Sequence, residues 1–349
     1  MFPFFKKNPV GIDIGSDSIK IIRLKGLAHN DISIIAQKKI GCEKHGDDLF
    51  DSLTKHGLDA ISKENDLHHS PCTSVIVSRS LTFHNILLPS MPKEDLIEAV
   101  KYETKKELTF PISEAVVDYL VKDEPKTNDE QFKLISISVH KDAVNKHIRF
   151  LKDAGFKPMA VEISAVPLVA AFDFNHSWDA SKRTALLDIG ATKTILIIIK
   201  DKSIRFYRDL PVFGSTVTKF FKEKYNLPFD DADEKKINTL GRVEAGEKQN
   251  FISDEDFSAI FDKFALELQR SFDYYQAHYR EGPVNEVIIS GGGALINRLD
   301  NFLEDILGVE VTIDNPFKKL YFSNKADEEK YSKIAPIFTT AVGLALRKS

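Results

Sequence analysis

Val10-Gly11-Ile12-Asp13-Ile14-Gly15-Ser16-Asp17-Ser18-Ile19-Lys20-Ile21-Ile22-Arg23-Leu24 runs from apolar residues into Asp13, turns about Gly15, and leaves after Ser18 in a second apolar run. Ile19, Ile21, Ile22 and Leu24 are β-branched or aliphatic, which favours strand over helix. The stretch reads as strand, tight turn, strand. Gly15 is free to take a positive φ and carries no side chain, so the turn can bring backbone N–H groups up to an anion. Ser16 and Ser18 add hydroxyl donors, and Lys20 places a cation beside the same spot. Asp13, at the strand end, suits a metal ion held through its waters, because Mg2+ gives up water reluctantly.

The same device returns half a chain later. Ala185-Leu186-Leu187-Asp188-Ile189-Gly190-Ala191-Thr192-Lys193-Thr194-Ile195-Leu196-Ile197-Ile198-Ile199 is again an apolar strand, Asp-Ile-Gly, a hydroxyl-bearing turn and an apolar strand. One copy says little, since Asp and Gly are ordinary turn residues. Two copies in matching contexts point to two similar domains facing each other, each offering a hairpin and a carboxylate to a shared nucleotide. Val287-Ile288-Ile289-Ser290-Gly291-Gly292-Gly293-Ala294 is an apolar strand running into three glycines, before the helix-like Leu295 to Leu303. Glycines there let the backbone approach a flat group such as adenosine.

At 349 residues, 42% of them hydrophobic, the chain is too long for one ordinary domain, and two lobes are the default. The net charge of −4 supplies no basic field, so nucleic acid is not an expected partner. Cys42 and Cys72 read as two free thiols of a cytoplasmic protein. No apolar run approaches the roughly 20 residues of a membrane span. The leader Met1 to Pro9 is aromatic and basic but too short for a signal peptide.

Further along, Ile32 to Ile40 suggests a strand. Asp47 to Asn65 suggests a helix, with Leu49, Phe50, Leu53, Leu58 and Ile61 at helical spacing, and Thr73 to Val77 another strand. A distinct module opens near Thr82. Strand-like His84 to Pro89, a helix entered at Pro92, strands over Ala115 to Lys122 and Phe132 to His140, and a helix from Lys141 ended at Gly155 make a small α+β insertion. The second of those strands alternates as if one face were buried. Met159 to Phe172 reads as a buried connecting helix, awkward at Pro167, with Glu162 ahead of it.

In the second half, Ser203 to Leu210 reads as a strand, Lys219 to Lys222 as a helix, and Asp230 to Gln249 as a solvated helix plus loop. Asp230, Asp231 and Asp233 lack the glycine of a calcium loop. Phe257, Ile260, Phe261, Phe264, Leu268, Phe272 and Tyr275 mark a strong helix, with Glu267 and Arg270 paired off its apolar stripe. Asp314 to Phe317 reads as a turn, Ser323 to Lys333 as a charged loop, and Ala335 to Arg347 as an apolar closing helix.

The three turns together resemble the nucleotide site of the actin-like ATPases: Asp13 to Lys20 as first phosphate motif, Asp188 to Thr194 as second, Ser290 to Ala294 as adenosine motif. Ile163 to Phe172 and Pro336 to Leu346 are similar to that fold's two connecting helices. Within the superfamily, which includes FtsA, MreB and actin, the chain most resembles the PilM family of type IV pilus assembly. The resemblance implies a two-lobed α/β fold of duplicated ribonuclease-H-like domains, with the α+β module inserted in the first lobe. The expected divisions are 1–82, the insertion 83–160, a connecting segment 161–184, the second lobe 185–334 and a closing helix 335–349.

The resemblance also implies ATP and Mg2+ as cofactors. Asp13 and Asp188 would approach Mg2+ from the two lobes. Gly15, Ser16, Asp17, Ser18 and Lys20 would hold the β-phosphate side, and Gly190, Ala191, Thr192 and Lys193 the γ-phosphate side. Gly291, Gly292, Gly293 and Ala294 would border adenosine and ribose, with Glu267 and Arg270 facing the adenine. Gly214 corresponds to the second of a Gly-Gly pair whose first position is Phe213 here. Glu162 is the nearest residue to a water-orienting carboxylate, so ATP binding is the firmer expectation and turnover would be slow or absent. The implied partner is the N-terminal cytoplasmic peptide of a PilN-like inner-membrane protein, met by Ile86 to Glu103 and Ile135 to Lys157. The chain is then cytoplasmic and peripheral to the inner membrane, with self-association left open. The alternatives are an FtsA-like membrane tether, whose amphipathic end helix is not seen after Arg347-Lys348-Ser349, a small-molecule kinase, and a scaffold with a vestigial site.

Overall fold

A computed structural model describes residues 9–25, 30–40, 52–127, 129–210, 214–242 and 252–347. Strands β1 (Val10–Ile14) and β2 (Ser18–Lys25) form the expected antiparallel hairpin, with Asp13 opposite Lys20 and Ile14 opposite Ile19. β3 (Asp31–Lys39) joins β2 antiparallel. Helix α1 (Ser52–Glu64) leads to β4 (Pro71–Val75), which lies parallel to β1, and β8 (Lys157–Glu162) lies parallel to β4.

The second sheet repeats this plan. β9 (Thr184–Ile189), β10 (Thr194–Lys200) and β11 (Ser203–Leu210) are successive antiparallel neighbours. β12 (Glu286–Ser290) and β13 (Glu310–Ile313) then follow parallel on the other side of β9. The orders β3-β2-β1-β4-β8 and β11-β10-β9-β12-β13 are the same, strand for strand and sense for sense. β14 (Tyr321–Phe322) extends the first sheet beyond β3. This is the duplicated, actin-like α/β architecture.

Between β4 and β8 stands the inserted module: β5 (Thr82–Pro89), α2 (Lys93–Thr104), β6 (Ala115–Asp123), β7 (Gln131–His140) and α3 (Lys141–Asp153), with β7 central in a three-stranded sheet. α2 begins straight after Pro92, with Glu94 and Asp95 in its first turn, as the dipole favours. α3 is followed by Gly155 at φ +87°, a conformation side chains resist. β7 departs from the one-sided alternation expected of it. Phe132 and Leu134 pack under α2, while Ile135 and Ile137 belong to a second core with Ile195, Ile197 and Ile204 of the second lobe. The module is therefore covered on both faces.

Two helices connect the lobes. α4 (Ala165–Asn175) carries Pro167 in its first turn, where the missing N–H costs no hydrogen bond. α10 (Thr339–Ala345) crosses it at Gly343, where an added Cβ would stand 1.9 Å from the Pro167 carbonyl oxygen. α10 also lies on β1, since a Cβ on Gly11 would stand 2.2 Å from the Ala341 oxygen. Under the second sheet, α7 (Asp254–Tyr279) buries Phe257, Phe261, Phe264, Leu268 and Tyr275 as its stripe required. Ser253 caps it by accepting from the Asp256 N–H.

Several expectations need correction. Met159 to Glu162 is strand β8, not the start of a helix: it is the part-exposed edge strand beyond β4, and pairing with β4 rather than a local pattern makes it a strand. Leu53 is 45% exposed and lies outside the core. α5 (Gly214–Tyr225) starts earlier than Lys219. α6 (Phe229–Leu240) is not solvated all round: Phe229, Ala232, Asp233 and Leu240 are buried. α8 (Leu299–Leu307) begins four residues after Leu295, following a 3-10 helix over Gly292–Leu295. Ser323 to Lys333 contains a short helix, α9 (Lys325–Tyr331), capped by Asn324. The closing segment is a 3-10 helix over Ser332–Phe338, which contains Pro336, and only then α10. The leader, Cys42, the helix start with Leu49 and Phe50, and Phe213 lie outside the described residues. Among the described residues, no helix is long and apolar enough to cross a membrane.

Candidate functional site

The two Asp-Ile-Gly turns face each other across the cleft between the sheets. In each, the glycine N–H donates back across the turn: Gly15 to the Ser18 oxygen at 3.1 Å, Gly190 to the Lys193 oxygen at 3.0 Å. Their tips meet at a 2.7 Å hydrogen bond between Ser16 Oγ and Thr192 Oγ1. Gly15 also leaves room for a neighbour, since a Cβ there would stand 2.7 Å from Lys20 Nζ.

The carboxylates sit just behind these turns. Asp13 Oδ2 accepts from Lys20 Nζ at 2.7 Å, the cross-strand pairing dictated by the β1–β2 register. Asp188 has Ile195 at the equivalent position and no cation of its own. Its Oδ2 accepts a long 3.4 Å hydrogen bond from Thr340 Oγ1 of α10. Desolvation in the cleft, and then the Asp13 charge, push its pKa up to about 6, against the smaller pull of Lys20, Lys193 and Thr340. Two carboxylates with one lysine between them leave negative charge that a divalent cation would relieve. No group of three or more His, Cys, Asp or Glu side chains among the described residues forms a closed metal cage. A cation would therefore keep most of its waters, as Mg2+ does.

The glycine turn after β12 closes the same group. Gly291, at φ +78°, donates its N–H to the Pro336 oxygen at 2.9 Å, and a Cβ there would stand 2.5 Å from Asp188 Oδ1. Gly292 faces open space, whereas Gly293 and Ala294 are buried. The N-terminus of α5 packs on the second turn: Gly214 donates to the Gly190 oxygen at 3.2 Å and Ser215 to the Ala191 oxygen at 2.6 Å. Ser18 is buried as the first residue of β2, Asp17 accepts the Ile40 N–H through its backbone at 2.7 Å, and Lys193 pairs with Asp209 at 3.3 Å.

Three residues named from the sequence are engaged by neighbouring side chains. Glu162, at the end of β8, is ion-paired with Arg347. Glu267 sits against β11, 3.6 Å from Arg208 Nη2, and accepts from Arg270 at 2.9 Å. That places the pair at the outer edge of the second sheet, with β10 and β9 between β11 and the glycine turn.

A family model for "Type IV pilus assembly protein PilM" matches residues 11–349. The chain belongs to the PilM family. Among solved structures it is similar to the "PilM-PilN type IV pilus biogenesis complex", at 20% identity and a TM-score of 0.80 over 98% of both chains. It is also similar to the ethanolamine utilization protein EutJ from Carboxydothermus hydrogenoformans, at 16% identity and a TM-score of 0.54, over 97% of this chain and 89% of that one. At such identities the likeness establishes the fold.

In this PilM-family chain the cleft also contains residues that the sequence reading did not assign to it. Lys39, at the end of β3, reaches from the first lobe to Asp233 of α6 at 2.8 Å. Partial desolvation works against the Lys39 charge, but Asp233, with Asp17 and Asp230 nearby, raises its pKa. Lys236 Nζ donates to Thr218 Oγ1 at 2.9 Å and to Asp233, and Thr218 Oγ1 lies 3.1 Å from the Gly214 oxygen. The available signal was the spacing of Phe229, Ala232, Asp233 and Lys236, one face of a helix otherwise read as polar.

Proposed function

We propose that this PilM-family protein binds Mg-ATP between its lobes and uses it to hold a closed form that receives the N-terminal cytoplasmic peptide of a PilN-like membrane protein. The observation that carries the nucleotide reading is the pair of equivalent turns, each with a glycine and an aspartate, meeting across one cleft. Gly15, Ser16 and Lys20 face one end of a polyphosphate; Gly190, Ala191, Thr192 and Lys193 face the other. Gly292 leaves a stretch of wall without a side chain for the nucleoside, while Gly291 lets that wall close onto Asp188. Asp13 and Asp188 orient the waters of a magnesium ion, which supplies neutralising charge to the phosphates. Glu162 must leave Arg347 before it can orient a water, which supports slow or absent hydrolysis. The PilN reading is supported by the family and by the PilM–PilN complex to which the chain is similar. It places the protein on the cytoplasmic side of the inner membrane, held there through its partner.

A ligand bound only to the closed form stabilises that form by about 2.7 kcal/mol at a hundredfold excess over its Kd. Calorimetry of Mg-ATP binding to the intact protein and to Asp188→Ala, with and without a synthetic PilN-like N-terminal peptide, tests the proposal. The expected result is binding that the substitution weakens at least tenfold and that the peptide strengthens. Peptide binding without nucleotide binding would replace the reading with a scaffold whose site is vestigial.

A further inference from the structure

The inserted module is threaded through the first lobe yet leans on the second. The Phe83 ring of β5 stacks on the Tyr207 ring of β11 at a centroid distance of 4.0 Å. Asn85 Nδ2 donates to the Tyr279 hydroxyl at 2.9 Å, and Lys122 Nζ lies 4.0 Å above the Tyr279 ring. Arg205 of β11 donates to the Lys122 carbonyl at 3.0 Å and pairs with Asp123. On its other side, α3 contributes Phe150 and Leu151 to the core of the first lobe beside Val10 and Ile12. The module thus touches both halves that a ligand in the cleft would move.

One line of side chains joins it to the cleft directly. The Tyr207 hydroxyl donates to Asp209 Oδ1 at 2.7 Å, and Asp209 Oδ2 accepts from Lys193 Nζ at 3.3 Å. Lys193 belongs to the second phosphate turn. Both oxygens of Asp209 are therefore engaged, one toward the cleft and one toward the module. The two links differ in strength. Lys193 and Asp209 are 30% and 45% exposed, so their pair is cheap to exchange. Tyr207 is held by the ring stack and by its hydroxyl, which burial and then the Asp209 charge keep protonated.

We propose that Lys193, Asp209, Tyr207 and Phe83 form a relay that reports phosphate in the cleft to the inserted module. Lys193 has two alternative partners, Asp209 and a phosphoryl group in the Gly190–Lys193 turn. A polyphosphate carries more charge than one carboxylate and draws Lys193 toward itself. Asp209 is then held only through Tyr207, and that ring re-seats against Phe83 and the edge strand β5. The relay has two discrete arrangements, which a coupling between distant sites requires. It rests on the nucleotide reading above and assigns that site its regulatory output.

Hydrogen exchange of the full-length protein, with and without saturating Mg-ATP, tests it alongside calorimetry on the same samples. In the wild type, Mg-ATP is expected to change exchange of amides within Thr82–Pro89 by about fivefold or more, a modest coupling between sites. Tyr207→Phe keeps the stacked ring and removes the donor; Asp209→Asn removes the charge. Both variants are expected to bind Mg-ATP within about threefold of wild type, as sites outside the phosphate contacts should, while losing the response of β5. Binding without a β5 response in the wild type, or an equal response in Tyr207→Phe, would overturn the relay alone. No binding to the wild type would overturn the nucleotide reading and the relay with it.

Discussion

Asp188 shows how a single side chain trades stability for chemistry. Its pKa is about 6 in the folded protein against 3.8 for the free side chain, so between those values the native state holds more protons than the unfolded chain. Stability therefore falls as pH rises through that window, and the ionised carboxylate remains a cost above it. Asp188→Asn is expected to raise the unfolding free energy at pH 7.5 by roughly 1–3 kcal/mol, to lose that advantage near pH 4, and to abolish the magnesium dependence of nucleotide binding. Urea titrations at the two pH values measure the first two effects, and a destabilised variant at pH 7.5 would contradict the electrostatic account. Asp13 and Asp188 were legible in the sequence because Asp-Ile-Gly occurs twice between apolar strands. Asp233 was not, because its partner Lys39 lies 194 residues away and nothing local marks a pairing at that distance. Glu267 and Arg270 were correctly read as neighbours on one helix face; the strand against which that face would lie was a tertiary fact.

Among the elements, the crossing of α4 and α10 is the tightest contact between the lobes' connections. Gly343 meets the Pro167 carbonyl with no room for a methyl group, whereas Gly292 has nothing within 4 Å of the same added atom. Gly343→Ala is expected to cost at least about 2–3 kcal/mol, because the helices must separate or bend. Gly292→Ala should stay within about 0.5 kcal/mol, as a substitution into open space does. Chemical denaturation of the two variants side by side makes the comparison, and equal losses would sink it. The elements missed in the sequence have different causes. β8 was hidden inside an apolar run that flows into α4, and the strand that orders it, β4, lies far back in the chain. α9 was hidden inside a run of charges, although its Asn324 cap and its packing on the adjoining segments are local. The hairpins, α3 and α7 were readable because turn, cap and stripe are all local.

At the scale of the whole molecule, the cleft is bridged at its mouth by Lys39–Asp233 and Ser16–Thr192. Lys39 is 57% exposed, so its ion pair contributes about 0–1 kcal/mol to closure. Lys39→Ala is therefore expected to weaken Mg-ATP binding by no more than about fivefold and to leave the unfolding midpoint nearly unchanged. Calorimetry and thermal melting check both. A loss above a hundredfold would instead make Lys39 a direct phosphate ligand. The two halves also form a pair of near-copies, with the same strand order and the same hairpin register in each sheet. One cross-strand position breaks that symmetry: lysine stands opposite Asp13, and isoleucine stands opposite Asp188. Two aspartates at equivalent places in equivalent turns thereby become chemically unlike. One is neutralised by its own strand partner, while the other has no lysine across the strand and keeps its charge against the cost of burial.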